Sequence, residues 1–328
     1  MSGPSPDPPA PERERPGRID AVPVRHPGRW VAIAAIAVLT AMVVNMLLTN
    51  PAFDWAFIVE AMQQEPVLRG LLMGTLLVTL LAMVIGVVMG VVLAIMRLSP
   101  NPILSTFAWV FTWFFRGVPR LVLLTIMGTL GIVFREGLDI GIPFDQQIMG
   151  LLGIEGDWRF LNLDANTIFQ GVVGGAIGLG LSEAAYMAEI ARAGILSVDT
   201  GQREAAEALG MDNGKAMRRV VLPQAMRVIV PPTGNETISM LKDTSLLIGL
   251  PLGNELFFQL RSIGSRTYNT FEVLVAAVLF YLILTSILMV GQYFLERRFG
   301  RGYGAGVPQR PAKALASGAD AAGEGGQR

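Results

Sequence analysis

The sequence predicts an all-α membrane protein with six transmembrane helices. Of its 328 residues, 52% are apolar and only 16% are charged, and the mean hydropathy of +0.50 is too high for an ordinary soluble domain. Several uncharged runs approach or exceed the roughly 20 residues that a helix needs to cross a bilayer. Lysine and arginine also concentrate in alternate loops between these runs, which is typical of multi-pass chains.

The candidate spans differ in how completely they exclude charge. The first, second and sixth are uncharged runs of 19, 27 and 23 residues. The third should form one broken span, because Pro119 removes a backbone donor and Gly117 adds freedom in its middle. The fifth should be interrupted at Pro231 and Pro232. In chain order, the predicted helices cover residues 30–48, 70–96, 102–134, 165–194, 225–250 and 273–295.

Positive charge predicts the orientation of these helices, because cytoplasmic loops carry an excess of lysine and arginine. Residues 135–164 hold six acids against two arginines, so they belong outside. Five arginines precede the first span, and the polar segment 200–223 is basic as well. Both termini and this segment are therefore predicted to be cytoplasmic. Low apolar content at residues 1–29 and a Gly/Ala-rich composition at residues 304–328 predict disordered tails.

Composition excludes several classes of chemistry. The chain has no cysteine, which removes disulfides, thiolate metal sites and thiol nucleophiles. Its one histidine, His26, lies in a tail rich in proline and arginine, where a solvated residue is expected rather than a base or a metal ligand. Balanced charge, 26 basic against 26 acidic residues, gives no reason to expect nucleic acid binding. We therefore predict no catalytic residue and no metal site.

A polar helical hairpin is predicted at residues 200–223. Alanine and glutamate favour a helix over Glu204-Ala205-Ala206, and Gly210 is suited to ending it. A second short helix is expected from about Asn213 to Leu222. Pro223 then stands where a new helix could begin.

The hairpin superficially resembles a phosphate-binding loop at Gly210-Met211-Asp212-Asn213-Gly214-Lys215-Ala216. Three residues separate the glycines instead of four, and Ala216 replaces the hydroxyl that would hold magnesium. The sequence therefore predicts no nucleotide site in this chain. Any ATP that drives it must be hydrolysed by another polypeptide.

The hairpin and its flanks resemble the coupling segment of ABC importer permeases, in particular the polar amino-acid uptake branch. The family pattern is Glu-Ala-Ala, three residues, Gly, nine residues, an aliphatic residue, one residue and Leu-Pro, and here Val220 replaces the usual isoleucine. Segments 115–119, 185–195 and 241–246 look like the same branch, and the resemblance covers roughly residues 68–298. The chain departs from the family in its additional N-terminal helix, its longer stretch 135–164, and Arg120 where an aliphatic residue is commoner.

The resemblance implies a core of five permease helices plus one N-terminal helix, in a bacterial cytoplasmic membrane. Its partners would be a second permease subunit, two cytoplasmic ATP-binding subunits and an external solute-binding protein. ATP and Mg would bind the ATPase subunits, with no cofactor on this chain. The alternative for the hairpin is a solvated loop. The coupling residues would be Glu204, Ala205, Ala206, Gly210, Leu222 and Pro223.

Charged and polar residues inside the predicted spans are candidates for the substrate path, because charge in hydrocarbon is costly and tends to face a cavity or a partner. We hypothesise that Glu236 or Asp243 meets the ammonium of an amino acid and Lys242 its carboxylate. The alternative is structural ion pairs with Arg116, Arg120 or Arg192. The candidate set for the path is Glu183, Glu236, Ser239, Lys242 and Asp243, and that for a gate or kink is Arg116, Gly117 and Pro119.

Two further questions stay open at this stage. Small residues recur along the second span and predict close helix approach, either at a subunit or moving interface or within the chain. They are Gly70, Gly74, Ala82, Gly86, Gly90 and Ala94. The main functional alternative is a secondary transporter that uses its intramembrane carboxylates as a proton relay; such a protein would lose uptake with an uncoupler and keep it without ATP.

Overall fold

The computed structural model describes residues 27–51, 53–153, 158–250 and 252–299. Most of the predicted tail 1–29, including His26, and all of the tail 304–328 lie outside the described residues. Two compact units divide the chain between Phe53 and Asp54. The first contains helix α1 (Pro27–Thr49), which is 23 residues long, carries no buried residue and covers the predicted first span.

The second unit contains the remaining elements. In chain order, the helices are α2 (Trp55–Gln63), α3 (Glu65–Arg69), α4 (Leu77–Arg97), α5 (Pro102–Gly117), α6 (Arg120–Val133), α7 (Asp145–Leu152), α8 (Ala165–Phe169), α9 (Gly171–Leu196), α10 (Thr200–Ala208), α11 (Asn213–Ala216), α12 (Leu222–Asp243), α13 (Leu256–Thr267) and α14 (Thr270–Phe299). Two π-helical turns, Gly70–Leu76 and Met217–Val221, lead into α4 and α12, and a 3-10 turn, Thr244–Gly249, follows α12.

Among the described residues, four continuous helical stretches are long and apolar enough to cross a membrane. They are α1, the stretch Glu65–Arg97, α9 and α14. The bent pair α5 and α6 gives a fifth if it counts as one span. The predicted segment 225–250 corresponds to α12, which is 22 residues long but carries four charged side chains, Arg227, Glu236, Lys242 and Asp243.

The break in the third segment lies where the sequence places it. Helices α5 and α6 meet at an angle of 101°. Val118 is extended, with φ −92° and ψ 130°, because the following Pro119 disfavours the helical region for the residue before it. Arg116 and Arg120 therefore stand at the two helix ends that meet at the bend.

The prediction that Pro231 and Pro232 interrupt the fifth span is wrong. Helix α12 runs through both prolines from Leu222 to Asp243. Neighbouring groups supply polar contacts at this point, since Gln292 Nε2 of α14 donates to the Pro231 carbonyl at 2.8 Å. The Thr233 hydroxyl donates to the Ile229 carbonyl at 2.8 Å. These contacts do not replace the hydrogen bonds that the prolines remove, because the carbonyls that lose a helical donor are those of Arg227 and Val228. Packing of α12 against α9 and α14 keeps the helix continuous.

Residues 135–164 add a small β element to an otherwise helical chain. Strands β1 (Leu138–Gly141) and β2 (Arg159–Leu163) pair antiparallel, and we call this pair the ribbon. Helix α7 lies between the two strands in sequence.

The helices α2, α3, α7 and α13 were also not predicted from the sequence. They are short, and α13 carries the exposed Arg261 and Arg266.

Helices α4 and α9 pack closely through small residues. A Cβ at Gly86 would lie 2.6 Å from Cγ of Glu183, and one at Gly90 would lie 2.5 Å from Cβ of Met187. The remaining members of the predicted stripe are buried as well: Gly70, Gly74, Ala82 and Ala94. The stripe therefore serves packing within the chain, in agreement with the second of the two alternatives above.

We expect Gly90→Ala to destabilise the protein because its methyl group has no room against Met187. Overpacking costs about 1–3 kcal/mol, which exceeds the gain of about 1 kcal/mol in helix propensity. Gly291→Ala is the matched control, since a Cβ at this position of α14 would meet nothing within 4 Å. Thermal unfolding of the purified protein should show a lower Tm for Gly90→Ala alone; equal Tm values would contradict the close contact.

Candidate functional site

The first arm of the hairpin is α10, and both of its ends are capped. Oδ1 of Asp199 accepts from the backbone N–H of Gly201 at 2.7 Å. At the other end, Gly210 has φ +76°, the left-handed conformation that glycine adopts without steric cost. The N–H of Met211 donates to the carbonyl of Ala206 at 3.1 Å. Together with the bond from the N–H of Gly210 to the carbonyl of Glu207 at 2.9 Å, this is a Schellman motif.

The second arm is not a separate helix, which corrects the predicted boundary at Leu222. Helix α11 continues through the π-helical turn Met217–Val221 into α12, and Pro223 lies in the first turn of α12. Proline has no backbone N–H, so Pro223 removes one helical hydrogen bond directly after the π-helical turn without ending the helix. The hairpin is thus joined to the membrane helix by unbroken helical backbone.

Asp212 caps the second arm. Its carboxylate accepts from the Lys215 backbone N–H at 2.9 Å, and the Lys215 ammonium lies 2.8 Å away. Hydrogen bonding from Lys215, first through the side chain and then through the backbone, holds the pKa of Asp212 below its usual value. The carboxylate therefore stabilises this turn at neutral pH, and the stabilisation is lost as the pH falls through the lowered pKa.

The six candidate coupling residues are not equivalent. Ala206 is 2% exposed and packs inside the hairpin, so its small size serves the hairpin itself. Leu209, in contrast, is 79% exposed, which is unusual for a leucine in a polar loop. The others present exposed surface: Glu204, Ala205, Gly210, Leu222 and Pro223.

A second polar site lies inside the membrane helices and is centred on Arg120, the first residue of α6. Its guanidinium lies 3.0 Å from Oε2 of Glu183 in α9 and also pairs with Oδ2 of Asp243 at the end of α12. The Glu183 side chain is fully buried, whereas that of Asp243 is 30% exposed. One arginine thus bridges the helix break, α9 and α12.

Tyr186 completes this cluster. The guanidinium carbons of Arg120 and Arg116 lie 4.8 Å and 5.5 Å from the centre of its ring, within range of a cation–π interaction. We call Arg116, Arg120, Glu183, Tyr186 and Asp243 the arginine cluster. Sequence reasoning named Arg120 only as a departure and a possible ion-pair partner, and it missed Tyr186 as a site residue.

The other path candidates lie elsewhere. Glu236 and Ser239 are half-buried on α12, whereas Lys242 borders a cavity of about 440 Å³ together with Phe257 and Tyr281. Lys242 and Asp243 therefore lie in different environments: Lys242 borders this cavity, whereas Asp243 pairs with Arg120. Arg192 pairs with Glu189 at 2.8 Å, three residues earlier on α9, and not with a path candidate.

Glu255 is a buried carboxylate that sequence reasoning missed. It accepts from the hydroxyls of Thr75 at 3.1 Å and Tyr281 at 3.0 Å, and from the backbone N–H of Phe258 at 3.0 Å. These contacts cap α13 and join it to the π-helical turn before α4 and to α14. The sequence carries no standard signal for this cap, because glutamate is not one of the residues that usually begin a helix.

We expect Arg120→Ala to destabilise the protein by about 3–5 kcal/mol, because it leaves the buried Glu183 carboxylate without its partner. Adding Glu183→Gln should restore much of the loss, since a neutral amide costs less to bury. Arg192→Ala is the control: its pair with Glu189 is partly exposed and should contribute less than about 1 kcal/mol. Reversible unfolding in detergent measures all three; equal losses for the two arginine variants would rule out the cluster as a buried anchor.

Comparison with known proteins identifies the architecture. Residues 86–301 match the family described as "binding-protein-dependent transport system inner membrane component". The arginine transport system permease protein ArgU of Corynebacterium glutamicum is 41% identical over 92% of this chain and 90% of its own length. The L-cystine transport system permease protein TcyB of Bacillus subtilis is 43% identical over 38% of this chain and 53% of its own.

A solved structure is similar as well. The crystal structure of an amino acid ABC transporter with histidines superimposes with a TM-score of 0.56 and 31% identity, covering 75% of this chain and 99% of the solved one. The family match takes in the contacts of Gly86 and Gly90 with α9, the arginine cluster and the entire hairpin. The chain therefore belongs to the family of binding-protein-dependent transport system inner membrane components.

Proposed function

We propose that this chain is a permease subunit of an ATP-driven importer of cationic amino acids, and that residues 200–223 receive the work of ATP hydrolysis. The observation that carries the proposal is the continuity of α12. This helix begins at Leu222 in the coupling segment and ends at Asp243 in the arginine cluster. Because the chain belongs to the family of binding-protein-dependent transport components, we do not propose the alternative function, a proton-coupled secondary transporter.

Helix α12 supports rigid-body transmission. At 1.5 Å per residue its 22 residues extend about 33 Å, which is comparable to the thickness of the hydrocarbon core. Closure of an ATPase dimer against the exposed surface of the hairpin would displace α12 as a unit. The displacement would act on the contact between Asp243 and Arg120, at the bend between α5 and α6.

The exposure of the cluster suggests which carboxylate meets substrate. Glu183 is enclosed, so it anchors Arg120, whereas Asp243 is 30% exposed and can exchange Arg120 for a substrate cation. Beside the cluster, a cavity of about 430 Å³ is bordered by Arg116, Trp113 and Glu189. Arg116 and Arg97, which also borders the cavity, suit an α-carboxylate, and the aromatic face of Trp113 suits a cationic side chain. Glu236, Ser239 and Lys242 remain proposed path residues.

The proposed assembly follows from the family. Two cytoplasmic ATP-binding subunits would hold ATP and Mg and contact Glu204, Ala205 and Leu209. A second permease copy or homologue would complete the path, and an external binding protein would deliver the amino acid. The distribution of arginine supports cytoplasmic termini and a cytoplasmic hairpin.

Substrate class is tested with the purified complex reconstituted in liposomes together with its binding protein. We expect ATP-dependent uptake of arginine and lysine that survives an uncoupler, because the similarity to ArgU extends over 92% of the chain. Glutamine, glutamate and cystine should compete weakly. Uptake of cystine or glutamine without arginine would overturn the cationic assignment and leave the importer intact. Uptake that needs no ATP would overturn the importer itself.

Coupling is tested by two matched substitutions on α10, Glu204→Gln and Glu207→Gln. Both glutamates are exposed, but only Glu204 belongs to the coupling motif. Hydrogen bonds to charged groups contribute about 1.5–3 kcal/mol, so Glu204→Gln should weaken ATPase binding by about tenfold or more. Glu207→Gln should have little effect, because its pair with Arg203 is about half exposed. Equal binding by both variants would remove Glu204 from the interface.

A further inference from the structure

The ribbon has one apolar and one polar face. Leu138 pairs with Leu163 and Ile140 with Leu161, and both pairs point to the same side because side chains alternate along a strand. Asp139 pairs with Asn162 on the opposite side. A two-stranded element with this pattern is amphipathic.

The charged and polar side chains of the polar face pair with one another and with nearby residues. Arg159 Nη1 lies 2.5 Å from Oδ2 of Asp139 and its Nε lies 3.7 Å from Asp145. Asn162 Nδ2 donates to Oδ1 of Asp139 at 2.7 Å and to the carbonyl of Glu136 at 2.9 Å. These contacts leave little charge to attract a charged partner.

The apolar face lacks a cover among the described residues. Ile140 and Leu161 are 48% and 51% exposed. Helix α7, which follows β1 in sequence, carries two further exposed leucines, Leu151 and Leu152, at 88% and 61%. An isolated two-stranded ribbon is marginally stable in water, and an apolar patch of this kind on a surface normally marks a contact. Something must cover this face.

The position of the ribbon in the chain identifies the cover. It begins five residues after Val133, the last residue of α6, and ends two residues before α8, which leads into the membrane helix α9. The last turn of α6 is itself apolar and exposed, with Ile132 at 59% and Val133 at 68%. Exposed apolar residues therefore lie both at the end of a membrane helix and in the ribbon, with the charged Arg135 and Glu136 between them in sequence.

The lipid bilayer is also a better candidate than a soluble protein for covering the apolar face of the ribbon. A binding protein that docks and leaves would expose this face to water for part of each cycle, whereas lipid covers it permanently. Trp158, directly before β2, is of the residue type that concentrates at membrane interfaces. We propose that the ribbon and α7 form an interfacial anchor whose apolar face lies in the lipid interface on the side of the membrane opposite the hairpin.

The absence of cysteine makes the test direct, because single cysteines can be introduced without removing others. We would label Ile140→Cys and Leu161→Cys with a nitroxide in the complex in lipid nanodiscs. Collision rates with oxygen, which enters lipid, and with a nickel chelate, which stays in water, report the surroundings. Glu136→Cys is the water-exposed control and Val88→Cys, exposed on α4, is the lipid reference.

We expect the oxygen-to-nickel ratio at positions 140 and 161 to be several-fold higher than at position 136, with or without binding protein. A ratio equal to that at position 136 would place the face in water and overturn the proposal. Protection from both reagents would indicate a second subunit, and protection only after addition of binding protein would indicate that partner; both results overturn a lipid anchor. ATPase activity of each labelled complex confirms assembly.

Discussion

The burial of Glu183 is the constraint on which the rest of the site depends. This carboxylate is held where Gly86 of α4 gives α9 room to approach, and no larger residue fits there without displacement. A charge in that position needs a partner, and Arg120 provides it from the first residue of α6. The bend at Val118 and Pro119 is what directs that arginine toward α9 and toward the end of α12. The close packing of α4 and α9, the bend between α5 and α6, and the ion pair between Arg120 and Glu183 therefore depend on one another.

The same arrangement supports the proposal that an event at the hairpin reaches the interior of the membrane. Asp243 shares Arg120 with Glu183, but it is more exposed and stands at the end of the helix that starts in the hairpin. An anchored arginine with one enclosed and one accessible carboxylate can release the second without losing the first. The Schellman turn and the cap at Asp212 stabilise the two arms of the hairpin, which in the proposed coupling role would let force applied to it reach α12.

Much of this could be predicted from sequence, and what could not has physical reasons. Long apolar runs located α1, α4, α9 and α14, and Pro119 located the bend, because those signals are local. The continuity of α12 through Pro231 and Pro232 was missed because the helix is held by packing against α9 and α14, which meet it only in the fold. The role of Arg120 was underestimated for the same reason: its two carboxylates come from helices that meet only in the fold. The ribbon was missed because its strands are short and α7 and further residues separate them.

Distances measured along α12 and between α12 and α6 decide whether this helix moves as a rigid element. Spin labels at Arg227→Cys and Lys242→Cys report on the helix itself, with about 22 Å expected between backbone positions from the helical rise. Labels at Ile132→Cys and Lys242→Cys report its displacement against α6. If α12 transmits as a rigid element, trapping nucleotide on the ATPase should change the distance between 132 and 242 and leave that between 227 and 242 constant. A changed distance within α12 with an unchanged distance to α6 would show that the helix bends at its prolines, and it would refute rigid transmission.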